Sequence, residues 1–152
     1  MGNSYSYECK KCGTRYEAGS GIGSLYPIQY KSLLEEIREG AYGAEWKKAF
    51  ADTPGAALDA SEFVFLCDSC GKWENGPDIS LYVPKDPADA GKACPMLWSS
   101  VDRKKYRLTK RFVRNCPACG QHMRKASAKE MYTLPCPECG EKNRPENQFL
   151  WD

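Results

Sequence analysis

Hydrophobic positions along this chain change period several times, and each change predicts an element. Tyr5-Ser6-Tyr7-Glu8 and Thr14-Arg15-Tyr16-Glu17 alternate apolar with polar, the pattern of a half-buried hairpin. Tyr30, Leu33, Leu34 and Ile37 then fall at i, i+3, i+4 and i+7, which predicts an amphipathic helix over 28–39, with Pro27 suited to its start. Gly40 and Gly43 interrupt, and a second short helix at 44–51 places Trp46 and Phe50 on one side. This helical stretch is expected to supply the main apolar core. Glu62–Cys67 reads as a strand, Lys72-Trp73-Glu74 leads out of the turn that follows, and Ile79–Val83 is a further short strand. A longer strand is expected from Tyr106 to Arg114, one helical turn within 126–131, and a tail, Phe149-Leu150-Trp151, that docks back on its own domain. Pro84, Pro87, Gly91 and Pro95 with small residues between them mark a linker.

The longest apolar run, Phe63–Cys67, has five residues, against the ~20 needed to cross a bilayer. The N-terminal stretch is polar and carries no secretory apolar region, so a cytoplasmic protein away from membranes is expected. A length of 152 residues fits one domain or two small ones.

Cysteine changes the picture most. The chain has 9 cysteines and 1 histidine. Eight of the cysteines form four Cys-x-x-Cys pairs: Cys9 with Cys12, Cys67 with Cys70, Cys116 with Cys119, and Cys136 with Cys139. Glycine follows each pair at once, at Gly13, Gly71, Gly120 and Gly140. Two thiolates so spaced grip one ion only if the chain curls around it, and the residue after the second thiolate then needs a positive φ that glycine adopts without strain. Each pair is thus a knuckle, and two knuckles make one closed tetrahedral four-cysteine site. The last two are separated by the sixteen residues 120–135, within the spacing of a zinc ribbon. The first two are separated by the fifty-four residues 13–66, read as a ribbon carrying a helical insertion. Four knuckles allow three pairings, and spacing does not exclude the other two.

Other cysteine chemistries fit less well. A disulfide framework needs an oxidising compartment, and a thioredoxin-type site uses one such pair beside a βαβ pattern. Pro135-Cys136-Pro137-Glu138-Cys139 matches half of a zinc deaminase signature, but His122 is followed by Met123 and Arg124, so the His-x-Glu half is missing. His122 is expected to be a ribbon-turn residue. Cys94 stands alone and reads as a small apolar residue, with a fifth ligand or a hydrolase or transferase nucleophile as the alternatives.

Charge is unevenly placed. Residues 1–99 carry 10 basic and 14 acidic side chains, and residues 100–152 carry 12 and 6. A divalent ion with four thiolates adds −2 per site. The formal +2 of the chain therefore becomes −2 when two sites are filled, while the C-terminal third stays positive. The excess lies at Arg103, Lys104, Lys105, Arg107, Lys110, Arg111 and Arg114, with Tyr106 and Phe112 interleaved. A basic strand with aromatics suits contact with phosphates and stacking on bases.

Tyr7-Glu8-Cys9-Lys10-Lys11-Cys12-Gly13-Thr14-Arg15-Tyr16 resembles the opening of rubredoxins and of small bacterial regulatory zinc-ribbon proteins, and Cys136-Pro137-Glu138-Cys139-Gly140 is similar to the same ribbon pattern. With the following Glu17-Ala18-Gly19-x-Gly21-x-Gly23-x-x-Tyr26-Pro27, the first knuckle resembles a group of bacterial double zinc-ribbon proteins without an assigned activity. That resemblance implies a cytoplasmic bacterial protein and adds no catalytic residue. The expectation is an α+β chain of two small zinc-ribbon modules with rubredoxin-like knuckles. The first, at 1–83, carries the helical insertion (about 27–51), a linker spans 84–99, and the second lies at 100–152. Two structural zinc ions per chain and a non-catalytic role in binding protein or nucleic acid are the leading reading. A rubredoxin-like electron carrier binding iron is the alternative, because four thiolates accept either metal.

Overall fold

The computed structural model describes residues 2–23, 25–89 and 101–151. Cys94 and most of the expected linker lie outside them. The chain is mixed α and β, with mostly antiparallel sheets. It divides into two compact units, Met1–Gly21 with Glu62–Pro77 and Val113–Asp152, and Ile22–Ser61 with Asp78–Phe112. Both units are discontinuous in sequence, so neither coincides with the contiguous 1–83 and 100–152 segments. No helix among the described residues is long and apolar enough to cross a membrane.

The first unit is a sheet grown around knuckles. Strands β1 (Gly2–Glu8) and β2 (Arg15–Gly21) form an antiparallel hairpin about the first knuckle. In the second unit lie helix α1 (Tyr26–Glu39), helix α2 (Ala44–Ala51) and strand β3 (Ala57–Leu58). The chain returns to the first unit as β4 (Glu62–Leu66) and β5 (Trp73–Pro77), an antiparallel hairpin about the second knuckle. The third and fourth knuckles sit in irregular chain, each closed by one antiparallel bridge, Asn115 to His122 and Pro135 to Lys142. Strands β6 (Leu81–Pro84) and β7 (Tyr106–Lys110) belong to the second unit, and β8 (Arg124–Lys125) and the short helix α3 (Ala128–Met131) run between the third and fourth knuckles. Strand β9 (Asn147–Trp151) closes the first unit against β1. The sheet order is β5-β4-β2-β1-β9, with β8 also pairing β4.

All four knuckles share one register. The residue before the first cysteine lies across from the third residue after the second: Glu8 and Arg15, Leu66 and Trp73, Asn115 and His122, Pro135 and Lys142. In each, the glycine N–H donates to the carbonyl of the first cysteine, at 2.8–2.9 Å, and all four glycines have φ between 73° and 76°. The unit therefore contains two hairpin knuckles and two bridge knuckles built on one local plan. Its core is Tyr5, Tyr7, Tyr16, Ala18, Val64, Met131 and Leu134 with the buried sulfurs of Cys9 and Cys136. The tail docks through the backbone of β9, while Phe149 and Leu150 remain exposed.

In the second unit α1 ends as its glycine predicts. Gly40, at φ 94°, donates its N–H to the carbonyls of Glu36 and Ile37. Tyr30, Leu33 and Ile37 of that helix pack with Leu58, Ile79 and Leu81, and the half-buried Trp46 and Phe50 of α2 pack against this cluster. The helices thus supply the larger cluster of the second unit, beside a smaller one of Ala57, Tyr82, Val101 and Tyr106, while the knuckle unit has its own core. The sheet order here is β3-β6-β7. The chain crosses between units at two Asp-x-Ser turns. Ser61 Oγ donates to Asp59 Oδ1 at 2.5 Å and Ser80 N donates to Asp78 Oδ1 at 2.7 Å, which keeps buried carboxylates satisfied. The strand expected over Tyr106–Arg114 ends at Lys110, because Phe112 turns inward to pack edge-on against Tyr42 and Trp46. Leu58 is fully buried, so Leu58→Ala should cost about 2–5 kcal/mol. The cluster around Leu58 contains no knuckle cysteine, so the metal content of that variant should be unchanged when unfolding and bound metal are measured on the same sample.

Candidate metal centres

The pairing of knuckles differs from the one that spacing suggests. Cys9, Cys12, Cys136 and Cys139 converge at one point, and Cys67, Cys70, Cys116 and Cys119 at another, with the ligand atoms of each set within 4.8 Å of one another. The first knuckle therefore closes on the fourth and the second on the third. This nested arrangement corrects the sequential reading of 9/12 with 67/70 and 116/119 with 136/139. The reason lies in the sixteen residues between the last two knuckles. They do not fold back as a ribbon: Lys125 and Arg124 pair with Phe65 and Leu66 of β4, and Ala126 N donates to Val64 O at 2.7 Å. Ser127 then starts α3 with a capping box closed by Glu130. The segment carries the chain from one centre to the other.

Sulfur spacing fits a tetrahedral ion. Cys9–Cys139 is 3.5 Å, Cys12–Cys136 3.7 Å, Cys67–Cys119 3.5 Å and Cys70–Cys116 3.5 Å, Sγ to Sγ. A tetrahedron with metal–sulfur bonds of about 2.3 Å has edges of about 3.8 Å, whereas a disulfide bond is ~2.05 Å. The first cysteine of each knuckle is buried and the second is exposed. The protein side of each cradle is fixed by the knuckle turn, and its open side faces solvent.

Thiol acidity follows the same geometry. Burial opposes ionisation of Cys9, but the N–H groups of Cys12 and Lys11 and the neighbouring thiols outweigh it and bring its pKa down to about 6. The Cys70 N–H leads the same effect at Cys67, lowered to about 7 against the opposing pull of burial. For Cys119 the Gln121 N–H favours the thiolate, yet the three surrounding cysteines and burial push it up to about 12. For Cys139 the Glu141 N–H is likewise outweighed by burial and its three partners, again up to about 12. Each set of four therefore combines a readily ionised thiol with a thiol that keeps its proton when no metal is bound.

Tyrosines and one asparagine lash the hairpin knuckle of the first centre to its partner. Tyr7 and Tyr16 stack with centroids 4.8 Å apart. Tyr7 OH donates to Met131 O, and Tyr16 OH donates to Leu134 O at 2.9 Å. Burial and the adjacent phenols push the Tyr7 pKa upward, so it stays a donor. The buried Asn143 accepts from Lys10 N at 3.1 Å through Oδ1, and its Nδ2 donates to Tyr16 OH at 3.2 Å. At the second centre Arg124 binds Asp68 at 2.9 Å and Glu130, whose carboxyl it and Ser127 hold down at about 2. Trp73 Nε1 donates to Pro135 O at 2.8 Å and Lys72 Nζ to Pro137 O at 3.2 Å, joining the second knuckle to the fourth. None of these links was visible in the spacing of the cysteines. The shared position of Tyr7 and Phe65, each two residues before the first cysteine of a hairpin knuckle, was the one available sign.

The remaining candidates are dispersed. Arg103, Lys104, Lys105, Arg107 and Arg111 are exposed in the second unit. Lys110 is bound to Glu45 and lies over the Trp46 ring at 5.3 Å. Arg114 belongs to the first unit, paired with Glu74 at 3.3 Å and stacked on Phe65 at 4.9 Å. Tyr106 is buried and Phe112 is packed, so neither presents the open face expected of a base-stacking residue. His122 Nδ1 lies 2.9 Å from Asn115 Oδ1 and is not among the clustered ligands. The chain matches no known protein family, no curated protein and no solved structure.

Nested pairing makes a definite expectation for double variants. Cys9→Ser with Cys136→Ser should lose one ion per chain, because both residues serve one centre, whereas Cys116→Ser with Cys136→Ser should lose both. Sequential pairing gives the second variant only one loss, so metal content decides between them. The sign of the pH dependence also follows. Metal binding needs thiolates, so filling the sites at neutral pH should expel the protons held by Cys119 and Cys139. Affinity should rise with pH, and fall as acid passes through about 7 and about 6, where Cys67 and Cys9 take up protons. Calorimetry in buffers of different ionisation enthalpy counts those protons directly.

Proposed function

We propose that both centres hold zinc as closed structural sites, and that the protein is a non-catalytic module that contacts a nucleic acid through phosphates. The observation that carries the metal reading is the convergence of four sulfurs at each point. Four protein thiolates complete a tetrahedral shell and leave no position for water or substrate, the arrangement of structural rather than catalytic zinc. The partner reading rests on the exposed Arg103, Lys104, Lys105 and Arg107 at and beside the start of β7, an edge strand of its sheet. Exposed Lys85 joins them: its N–H donates to Lys105 O at 2.8 Å and its Nζ to Arg103 O at 2.9 Å. With the aromatic rings packed inward, such a surface favours phosphate contact independent of sequence over base stacking.

Two measurements test this. Freshly purified protein should carry two zinc ions per chain and no colour; iron with a red colour that bleaches on reduction would replace this reading with electron transfer. Lys105→Glu with Arg107→Glu should weaken binding of duplex DNA or RNA, and each lost contact should reduce the salt slope by about 1. Unchanged affinity and unchanged slope in that variant would remove the nucleic-acid role and leave the metal sites as they are.

A further inference from the structure

The two halves of the knuckle unit share one plan but carry unlike residues where each hairpin knuckle meets its partner. Four residues after Cys12 stands Tyr16, and four after Cys70 stands Glu74. Each faces the residue two before the first cysteine of its partner: Tyr16 donates to the carbonyl of Leu134, and Arg114 donates to Glu74. Six residues after the same cysteines stand Ala18 and Gly76. A Cβ on Gly76 would lie 2.5 Å from Arg114 Nη2, so the absence of a side chain there makes room for the guanidinium. Seven residues after Cys136 stands Asn143, and seven after Cys116 stands Met123. Asn143 receives the Lys10 N–H and donates to Tyr16, and a thioether can do neither well. Directly after the first cysteine stand Lys10, paired with Glu146 at 2.9 Å, and Asp68, paired with Arg124 at 2.9 Å.

We infer that these matched differences select which knuckles share an ion. Eight ligands of one residue type and a common knuckle geometry give the metal itself no preference between nested closure and the interleaved alternative, first with third and second with fourth. The surrounding residues supply it. Interleaved closure brings the Arg114 guanidinium against the Cβ of Ala18 and opposite Tyr16, without its carboxylate. It brings Glu74 against Leu134, which is fully buried. The Lys10 N–H then faces Met123, and its ammonium approaches Arg124. Only Asp68 is compensated, by Arg144, eight residues after Cys136 as Arg124 is after Cys116. Desolvating an unpaired guanidinium and carboxylate penalises the wrong pairing more than the right pairing is rewarded. Gly76, Glu74 and Arg114 on one side, and Tyr16, Lys10 and Asn143 on the other, are the residues that specify the pairing.

This inference rests on the centres binding metal, and cadmium-113 resonance on the full chain separates the two ideas. Couplings from each cadmium nucleus to cysteine β-protons identify the four ligands of each ion. The natural sequence should give one set, Cys9/Cys12/Cys136/Cys139 and Cys67/Cys70/Cys116/Cys119. Glu74→Tyr with Arg114→Leu makes the second half resemble the first, and should raise a second set linking the first knuckle to the third, from undetectable to about a tenth of the chains or more. Asn143→Met with Glu146→Ala, which gives the fourth knuckle the residues that stand seven and ten after Cys116 in the third, Met123 and Ala126, should do the same if the first variant fails to fold. Glu74→Arg with Arg114→Glu keeps the pair complementary and should retain a single set. A single native set in both symmetrising variants, or mixed sets in the natural sequence, overturns the inference. Failure of the natural chain to bind cadmium defeats the metal reading instead.

Discussion

Convergence of four thiols at each of two points is the constraint on which the rest of the structure depends. Short hairpins and single bridges bury little, and binding free energy at a four-thiolate site becomes folding free energy for the segments that supply it. Nested closure brings Cys9 against Cys139, 130 residues apart in sequence. That closure leaves the chain two long excursions, 22–61 and 78–112, and these assemble the second unit with its own core. The last strand, β9, can pair with the first because the fourth knuckle has already returned the chain to the start.

Sulfur alone does not hold the first unit. The buried phenols of Tyr7 and Tyr16 combine apolar stacking with hydrogen bonds to carbonyls just ahead of the fourth knuckle, which orders its approach. Asn143 completes this by satisfying a knuckle N–H and a phenol at once. The Trp73 and Lys72 bonds to Pro135 and Pro137 tie the second centre to the backbone of the first. The two centres are therefore parts of one packed body, and loss of either loosens elements that serve both.

Position within the fold divides the basic residues by role. Arg114, two residues before Cys116, is neutralised by Glu74 and covered by Phe65, so its charge is used beside a four-cysteine cluster. Lys110 is spent on Glu45 and Trp46. The shorter set at the turn before β7 and along it stays exposed. Filled metal sites add negative charge only to the first unit, so the contrast in charge between the units grows as metal is bound.

Much of this was legible in the sequence. The four knuckles, the glycine after each, the helix carrying Tyr30, Leu33 and Ile37, and the strands flanking the first two knuckles all follow from local periodicity and backbone preference. Those are properties of residues close in the chain, and the sequence states them directly. Which knuckles share an ion was not local. The spacing of Cys119 and Cys136 favoured a ribbon between neighbours, and it was overridden by pairing of Arg124 and Lys125 with β4 and by the helix turn capped at Ser127. Within the basic stretch the sequence names Tyr106 and Phe112 as aromatics without saying which way they face, and both pack inward. The sequence by itself determined that eight cysteines form four turns of one kind, each able to offer two thiols to a metal ion. Only the tertiary structure decided their partners, because like turns are brought together by strand pairing and side-chain contacts between segments far apart in the chain.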